Sequence, residues 1–282
     1  MKVLKTKKDL KTYFQDSNYL EAKIGLIPTM GALHQGHLSL VEESKRNTQV
    51  TVASIFVNPT QFDKKEDLEK YPKTIENDLK LLEQAGCDIV FIPSVEEIYN
   101  KSVISDHFDF DGLENEMEGR YRSGHFDGVG TIVKAFIEIV SPTHAYFGEK
   151  DFQQLQVIKK MVEKKRLNVK IIGCPIYREE NGLAMSSRNE RLSSEQRNEA
   201  TLIYKTLTAV KEKSTTDSIE EITNWVKSQF KDHPLFELEY FAIADEVTLK
   251  NASTFFSEKK YRAFIAVFAG SVRLIDNISL YS

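Results

Sequence analysis

Two histidines stand three residues apart near the amino end of the chain. His34 and His37 enclose Gln35 and Gly36, so that the run reads His-Gln-Gly-His. Imidazoles at this spacing can reach the same ligand from one turn of a helix. A pair of unrelated histidines, a metal site and a site for an anion such as phosphate are the three alternatives that this run leaves open.

The residues around the histidine pair favour the anion. Zinc normally needs further ligands at suitable spacing, and the chain has six histidines, two cysteines and no Cys-x-x-Cys. An apolar run that predicts a buried strand precedes the pair, and apolar residues at helical spacing follow it. The histidines are therefore predicted to lie where a helix begins, and free N–H groups and the helix dipole attract phosphate there. Gly36 lets a ligand approach the backbone closely.

Strands and helices alternate along the first part of the chain. The predicted strands are Ile24–Ile27, Val50–Val57, a segment within Asp88–Pro93, Ala145–Gly148 and Val169–Gly173. This alternation indicates parallel β-α-β units and a Rossmann-like, doubly wound parallel sheet. Ligands bind at the carboxyl ends of the strands in such sheets. We therefore expect the chemistry in the loops that follow the strands.

Three further loops carry polar residues at this predicted edge. Asn58 and Gln61 follow the second strand and supply two neutral amides. Lys150 follows the fourth strand, in a Glu-Lys-Asp run that is otherwise typical of a solvated helix start. Arg188 stands beside two serines and an asparagine, a combination that suits either phosphate binding or a helix N-cap. Together with the histidines, these cations indicate a site for a nucleoside triphosphate.

A glycine- and arginine-rich run precedes the next predicted helix. It extends from Gly119 to Val129 and contains one histidine. Residue types alone favour a flexible basic loop there.

The character of the sequence changes after Arg191. A long helix is predicted over 194–213 and a second over 219–230, followed by three strands without long helices between them. Grouped strands predict a small antiparallel sheet. We expect a nucleotide-binding domain over 1–176 and a smaller C-terminal α+β domain over 177–282 that closes over the site as a lid.

Composition excludes several classes of protein. The 282 residues are 41% hydrophobic and 28% charged, with a net charge of −4. An acidic balance argues against binding nucleic acid or a membrane surface. No apolar run approaches the roughly 20 residues that span a bilayer. Two distant cysteines in apolar surroundings and an amino end without the apolar core of a signal peptide predict a cytoplasmic protein.

The histidine run belongs to a longer segment that resembles a known family. Pro28-Thr29-Met30-Gly31-Ala32-Leu33-His34-Gln35-Gly36-His37 is similar to the signature of pantothenate synthetases (pantoate–β-alanine ligases), and its His-x-Gly-His element resembles that of the nucleotidyltransferase superfamily. Segments 56–62, 119–129, 148–154 and 185–188 match the same family. The resemblance covers nearly the whole chain, with five motifs in the family's order.

This resemblance implies a reaction. ATP, (R)-pantoate and β-alanine would give pantothenate, AMP and pyrophosphate. The pantoate carboxylate would attack the α-phosphate to form pantoyl adenylate, and the β-alanine amine would then displace AMP. The resemblance also implies Mg²⁺ and a homodimer, with small molecules as the partners.

The resemblance further assigns residues to roles. The catalytic residues are expected to be His34, His37, Lys150 and Arg188. The residues expected to bind ATP are Pro28, Thr29, Met30, His34, His37, Gly148, Lys150, Asp151, Met185, Ser186, Ser187 and Arg188. Those expected to bind pantoate are Met30, Asn58, Gln61 and Gln154. Asp78 is a candidate metal ligand, although its neighbour Asn77 stands where family members often have a second aspartate; binding of Mg²⁺ through the phosphates is the stronger alternative.

Other functions share parts of this pattern. A nucleotidyltransferase that transfers AMP or CMP to a phosphate ester would need neither Gln61 nor Gln154. A nucleotide-binding regulatory protein would lack some of the positive triphosphate ligands, and none is missing here. The sequence therefore favours the ligase, and it names no base for the amine of the second step.

Overall fold

The structure is a computed structural model that describes residues 1–17, 19, 21–62, 68–69, 71–100, 102–122 and 124–281. The chain divides into two compact units. The first comprises Met1–Glu149 and Gln153–Pro175, and the second comprises Lys150–Phe152 and Ile176–Ser282. Four residues that the sequence assigns to the first domain, Lys150–Phe152 and Ile176, thus group with the second unit.

Parallel strands form the sheet of the first unit. In the described chain they are β1 (Lys2–Leu4), β2 (Ile24–Thr29), β3 (Val50–Ile55), β4 (Ile89–Phe91), β5 (His144–Gly148) and β6 (Lys170–Cys174). Their order is β1-β4-β3-β2-β5-β6, and every neighbouring pair is parallel. The predicted Rossmann-like, doubly wound sheet is therefore confirmed.

The strand order reverses between β2 and β5. From β2 the chain proceeds to β3 and β4 on one side, and from β5 it proceeds to β6 on the other. In open α/β sheets, ligands bind in the crevice that such a reversal creates outside the carboxyl ends of the strands. The loop that carries the histidine pair follows β2, so the topology brings it to this crevice.

Helices connect the strands and continue into the second unit. Those in the described chain are α1 (Lys7–Asp16), α2 (Gln35–Asn47), α3 (Ile75–Gln84), α4 (Val95–Tyr99), α5 (Met117–Tyr121), α6 (His125–Val140), α7 (Phe152–Lys165), α8 (Ser194–Glu199), α9 (Thr201–Lys213) and α10 (Ile219–Phe230). Short 3₁₀ helices lie at Pro59–Gln61, Leu113–Asn115, Glu149–Asp151 and Ser187–Arg191. Within the described residues, every helix is too short or too polar to cross a membrane.

The sheet of the first unit is covered on both faces. All six residues of β3 are buried, as expected for a central strand of a parallel sheet. Leu38 and Val41 of α2 pack in one cluster with Ile27 and Ile55 of the sheet. Burial of each such side chain contributes about 1.5–3 kcal/mol. These contacts fix α2, and with it the histidine pair at its amino end, on the sheet.

An antiparallel sheet organises the second unit. Its strands are β7 (Glu237–Asp245), β8 (Tyr261–Ala269) and β9 (Val272–Ser279), in the order β7-β8-β9. Apolar residues of α9 and α10, among them Leu207 and Val226, pack with Ile265 and Val267 of β8. The smaller C-terminal α+β domain with an antiparallel sheet is therefore confirmed. The helix predicted over 194–213 is divided at Ala200, where ψ is −12°.

Candidate active site

The histidine pair lies at the amino end of α2. His34 is the N-cap residue in an extended conformation, and its backbone N–H donates to Nδ1 of His37 over 3.3 Å. The two rings are half-buried, with centroids 4.1 Å apart. Because a backbone N–H can only donate, Nδ1 of His37 accepts, and the proton of its neutral ring lies on Nε2. The N–H group of this ring and the positive end of the helix dipole form a site suited to an anion.

A buried carboxylate holds the loop before His34. Asp78 is fully buried; its Oδ2 accepts from the N–H of Ala32 over 3.0 Å, and its Oδ1 accepts from the N–H of Leu33 over 2.8 Å. Ala32 has a φ of 52°, in the left-handed region that is costly for a residue with a side chain. Two charge-assisted hydrogen bonds from consecutive backbone groups offset that cost. Asp78 thereby fixes the direction in which the chain enters α2.

These contacts bear on the predicted metal ligand. Oδ1 of Asp78 also accepts from Oγ1 of Thr74 over 3.1 Å, so both carboxylate oxygens are engaged. In the described ranges, no group of three or more His, Cys, Asp or Glu residues could hold a metal ion. The described residues therefore do not fit a protein-held Mg²⁺. The metal role of Asp78 stays a prediction that its contacts do not favour.

An amide network follows β3. Asn58 is fully buried; its Nδ2 donates to Oε1 of Gln61 over 2.9 Å and to the carbonyl of Gly128 over 3.0 Å. Its Oδ1 accepts from the hydroxyl groups of Tyr99 and Thr60. These four bonds use the whole capacity of the amide. The contacts favour Asn58 as the residue that orients Gln61, rather than as the ligand contact that the family resemblance implies.

Two residues from the glycine- and arginine-rich run complete this network. Nη2 of Arg122 donates to the carbonyl oxygen of Gln61 over 3.2 Å, and Nδ1 of His125 lies 3.0 Å from the same oxygen. A Cβ on Gly128 would lie 2.4 Å from the carbonyl oxygen of Thr60, so only glycine permits this approach of α6 to the turn. Residue types alone favoured a flexible loop here. In the sequence, the only signal that this run has a further role was its resemblance to a family segment.

The second unit brings three of the predicted phosphate ligands together. Lys150, Ser186 and Arg188 line the same small cavity. The Lys150 side chain is 15% exposed, and its Nζ lies 3.5 Å from a carboxylate oxygen of Asp151. Ser186 caps the 3₁₀ helix Ser187–Arg191, and its hydroxyl accepts from the N–H of Arg188 over 3.3 Å. The guanidinium-bearing Arg188 is exposed, so this unit presents two cations and a hydroxyl to a ligand.

The end of β2 supplies other predicted residues. Thr29 is buried; its hydroxyl donates to the carbonyl of Ser54 over 2.7 Å and accepts from the N–H of Gly31 over 3.2 Å. Pro28 and Met30 are half-buried on either side of it. The hydroxyl of Thr29 thus shapes the turn, while its two neighbours retain accessible surface for a ligand.

Neighbouring glutamines at the start of α7 have different environments. Gln153 is buried, and its Nε2 donates to the carbonyl oxygens of Leu113 and Glu116 over 2.8 and 2.7 Å. Gln154, the predicted pantoate ligand, is half-buried. Gln153 therefore braces the chain between α4 and α5, and Gln154 is the glutamine with accessible surface. The remaining predicted residues with accessible surface are Gly148, Asp151, Met185 and Ser187.

The fold and these loops define a class of protein. A doubly wound sheet, with a histidine pair at a helix amino end beside its strand-order reversal, is a nucleotide-binding α/β architecture. The model of the Pantoate-beta-alanine ligase family matches residues 2–279. The chain therefore belongs to the pantoate–β-alanine ligase family, as its motifs predicted, and it is an enzyme of the ligase class.

Relatives with solved structures or curated descriptions agree. The chain is 54% identical over 281 residues to the pantothenate synthetase of Flavobacterium psychrophilum, covering 99% of this chain and 100% of that one. The crystal structure of pantothenate synthetase from Thermus thermophilus matches with a TM-score of 0.92 and 38% identity, covering 100% of both chains. The pantoate-beta-alanine ligase of Francisella tularensis, complexed with beta-gamma ATP and beta-alanine, matches with a TM-score of 0.79 and 34% identity, covering 100% of this chain and 98% of that one.

Proposed function

We propose that this enzyme condenses (R)-pantoate with β-alanine at the expense of ATP, giving pantothenate, AMP and pyrophosphate through a pantoyl-adenylate intermediate. Membership of the ligase family supports the reaction, and the complex of the Francisella relative supports ATP and β-alanine as substrates. The single observation that carries the proposal is the His34–His37 pair at the amino end of α2, beside the strand-order reversal.

The first step is attack of the pantoate carboxylate on the α-phosphorus of ATP. This nucleophile needs no general base, because a carboxylate is ionised at neutral pH. Negative charge grows on the phosphate oxygens and on the departing pyrophosphate. The Nε2–H of His37, the neighbouring His34 and the amino end of α2 are donors in fixed positions that stabilise this charge. Loss of one such donor typically costs roughly 3–4 kcal/mol of transition-state stabilisation.

The second unit contributes further phosphate ligands in this proposal. The Lys150 ammonium and the Arg188 guanidinium supply positive charge, and Ser186 and Ser187 supply hydroxyl donors. Backbone and side-chain contacts to the nucleotide are assigned, on the family resemblance, to Pro28, Thr29, Met30, Gly148, Asp151 and Met185. Mg²⁺ enters with ATP as part of the substrate.

Pantoate is held by neutral amides in this proposal. Gln61 accepts from Asn58 through Oε1, so its Nε2 donors are the ones turned to other partners. Gln154 and Met30 are the other proposed contacts. A site with oriented amide donors discriminates against analogues that lack a hydroxyl, since the donors would be left unpaired. In the second step, the neutral amine of β-alanine attacks the acyl carbon and AMP leaves.

We also propose that the enzyme is a cytoplasmic homodimer. The family resemblance supports this state, and both cysteines are free and buried, as suits a reducing compartment. Sedimentation equilibrium tests the oligomer, with a single species of twice the chain mass as the expected result.

A coupled assay of AMP release tests the reaction. We expect AMP only when ATP, Mg²⁺, D-pantoate and β-alanine are all present. His34→Ala and Lys150→Ala should each lower kcat/KM by about 100-fold or more, whereas His107→Ala and Lys8→Ala, at exposed positions, should not. If pyrophosphate exchange needs pantoate but AMP release does not depend on β-alanine, then β-alanine is not the amine acceptor. The absence of any pantoate-dependent activity would disprove the reaction.

A further inference from the structure

Strand β9 carries two adjacent buried polar residues that the proposed mechanism does not use. Asp276 is 4% exposed and Asn277 is 2% exposed. Both lie in the antiparallel sheet, to which the sequence assigned no chemistry. Buried polar side chains are costly unless they are hydrogen-bonded, so their partners indicate why they are present.

Asn277 holds the backbone at Lys150. Its Nδ2 donates to the carbonyl oxygen of Lys150 over 2.9 Å, across 127 residues of sequence. Nη1 of Arg262 donates to Oδ1 of Asn277 over 2.6 Å and so orients the amide. The guanidinium of Arg262 also lies 3.9 Å from the ring centroid of Phe152, and its Nε donates to Glu246 over 3.0 Å. Residues 150–152 are therefore fixed to the sheet at their backbone and at an aromatic ring.

Asp276 holds the chain that leads to the serine–arginine loop. Arg178 donates to both of its carboxylate oxygens, over 2.6 and 3.0 Å. Arg178 also donates to the carbonyl of Gly182 over 3.0 Å and lies 3.8 Å from the ring centroid of Tyr204. A β-bridge joins Arg178 to Ala184, two residues before Ser186. The ion pair therefore fixes one end of the loop that carries the serines and Arg188.

The two anchors are linked to one another. The backbone N–H of Asn277 donates to Oδ1 of Asp276 over 2.7 Å. Asp276 lines the same cavity as Lys150, Ser186 and Arg188. One pair of neighbouring residues thus contacts both segments that bring phosphate ligands to this cavity.

We propose that Asp276 and Asn277 are positioning residues for ATP, which set the spacing between Lys150 and the Ser186–Arg188 loop. Asn277 acts through the backbone of Lys150, and Asp276 acts through Arg178. The inference rests on the proposed function, because it assumes that these segments bind the phosphates of ATP. A substitution at Asp276 or Asn277 should then alter the kinetic terms for ATP and leave those for pantoate unchanged.

Two variants of Asn277 test the first anchor. Asn277→Asp keeps the size and the acceptor for Arg262 but replaces the donor to Lys150 with an oxygen and introduces a carboxyl group. Asn277→Ala removes the amide without introducing a charge. We expect kcat/KM for ATP to fall about tenfold in each, as for loss of one well-placed hydrogen bond, with the KM for pantoate unchanged within about twofold. Ser279→Ala, two residues along the same strand, is the matched control and should resemble the parent enzyme.

A double-mutant cycle distinguishes an effect of Asn277 that acts through Lys150 from a general loss of structure. ATP affinity is measured by calorimetry for the parent, Asn277→Asp, Lys150→Gln and the double variant. If Asn277 acts through Lys150, its substitution should weaken ATP binding about tenfold in the parent and less than twofold in the Lys150→Gln protein. Additive losses would overturn the proposal for Asn277.

Asp276→Asn tests the second anchor, since it retains the side-chain shape and removes the charge that faces Arg178. Its kcat/KM for ATP should fall by about tenfold, with the KM for pantoate unchanged. Unchanged ATP kinetics in the Asp276 or Asn277 variants of an active enzyme would overturn the positioning role alone. A parent protein without pantoate-dependent AMP release would overturn the proposed function instead.

Discussion

The histidine loop of the first unit and the Lys150 segment of the second unit are held in opposite ways. In the first unit, the carboxylate of Asp78 accepts from the backbone N–H groups of Ala32 and Leu33. In the second unit, the amide of Asn277 donates to the backbone carbonyl of Lys150. A buried N–H without an acceptor is costly and rare, whereas a carbonyl with one bond fewer is tolerated better. Loss of the Asp78 carboxylate should therefore lower the free energy of unfolding more than loss of the bond from Asn277 to Lys150.

The largest expected effect is from Asp78→Ala. This substitution leaves the N–H groups of Ala32 and Leu33 without their acceptor, so the free energy of unfolding should fall by about 3 kcal/mol. Urea unfolding measures it. Thr74→Val, which removes only the side-chain donor to Asp78, is the matched control and should cost less than about 1 kcal/mol. If Asp78→Ala destabilises the protein no more than Thr74→Val does, the backbone N–H groups do not depend on Asp78 and the comparison between the two anchors is wrong.

Gly128→Ala should have the next largest effect. A Cβ at this position would lie 2.4 Å from the backbone oxygen of Thr60, which cannot move away as a flexible side chain could. We expect a loss of about 2 kcal/mol in unfolding free energy and a raised KM for pantoate, because Gln61 belongs to the displaced turn. Gly148→Ala is the control for stability, since nothing lies within 4 Å of its Cβ. If Gly128→Ala and Gly148→Ala are equally stable, the close contact between Gly128 and the backbone of Thr60 does not restrict this position.

Tyr99→Phe should have a moderate and selective effect. It removes one donor to Asn58, the residue that orients Gln61. Burial raises the pKa of Tyr99, so its hydroxyl remains a donor throughout the neutral range. We expect the KM for pantoate to rise about fivefold, as for loss of about 1 kcal/mol, with the KM for ATP unchanged. In Asn277→Asp, the KM for ATP should rise and the KM for pantoate should stay unchanged. If either variant changes both KM values, the two anchors do not act on separate substrates.

The smallest expected effect belongs to the pair formed by the exposed His107 and the half-buried Asp127 in the first unit. Nδ1 of His107 lies 2.9 Å from a carboxylate oxygen of Asp127, which raises the pKa of His107 above its ordinary value of 6.5. The pair therefore stabilises the fold below that value, and its contribution is lost as the pH rises through the raised pKa. His107→Ala should be slightly less stable than the parent at pH 5.5 and equal to it at pH 9. Thermal unfolding at both pH values measures this, and a difference that persists at pH 9 would exclude the charge as its origin.

Much of the fold followed from local pattern. The strands β2 and β3 are short and mostly apolar runs, and the histidine loop between β2 and α2 was predicted from residue types at fixed spacing. Helix α6 begins at His125, four residues before its apolar pattern. Its first turn, His125-Phe126-Asp127-Gly128, contains a charged residue and a glycine. Contacts of His125 and Gly128 with the Pro59–Gln61 turn, which is distant in sequence, stabilise it.

The anchors of the site could not be predicted in the same way. The side chains of Asp78, Asn58 and Asn277 bond to groups as far as 46, 70 and 127 residues away, respectively, and the residue type alone does not identify the partner. Asn58 is an example. Its position at the end of a strand predicted a ligand contact, and only the structure shows that four bonds to the protein already use its amide. Residue types indicated what the site could bind. The side chains that hold those residues in place depend on the tertiary fold.

The grouping of Lys150–Phe152 with the second unit has a consequence for synthesis of the protein. Phe152 is 5% exposed and lies 5.9 Å from Phe264, centroid to centroid. These three residues leave the ribosome more than one hundred residues before β8 and β9, so the second unit cannot complete its core while its last strands are still being made. Contacts of such long sequence separation slow folding. A gene fragment that starts at residue 177 would therefore lack the ring of Phe152 and the carbonyl group of Lys150 that Asn277 contacts, and its product should be less stable than the same unit in the full chain.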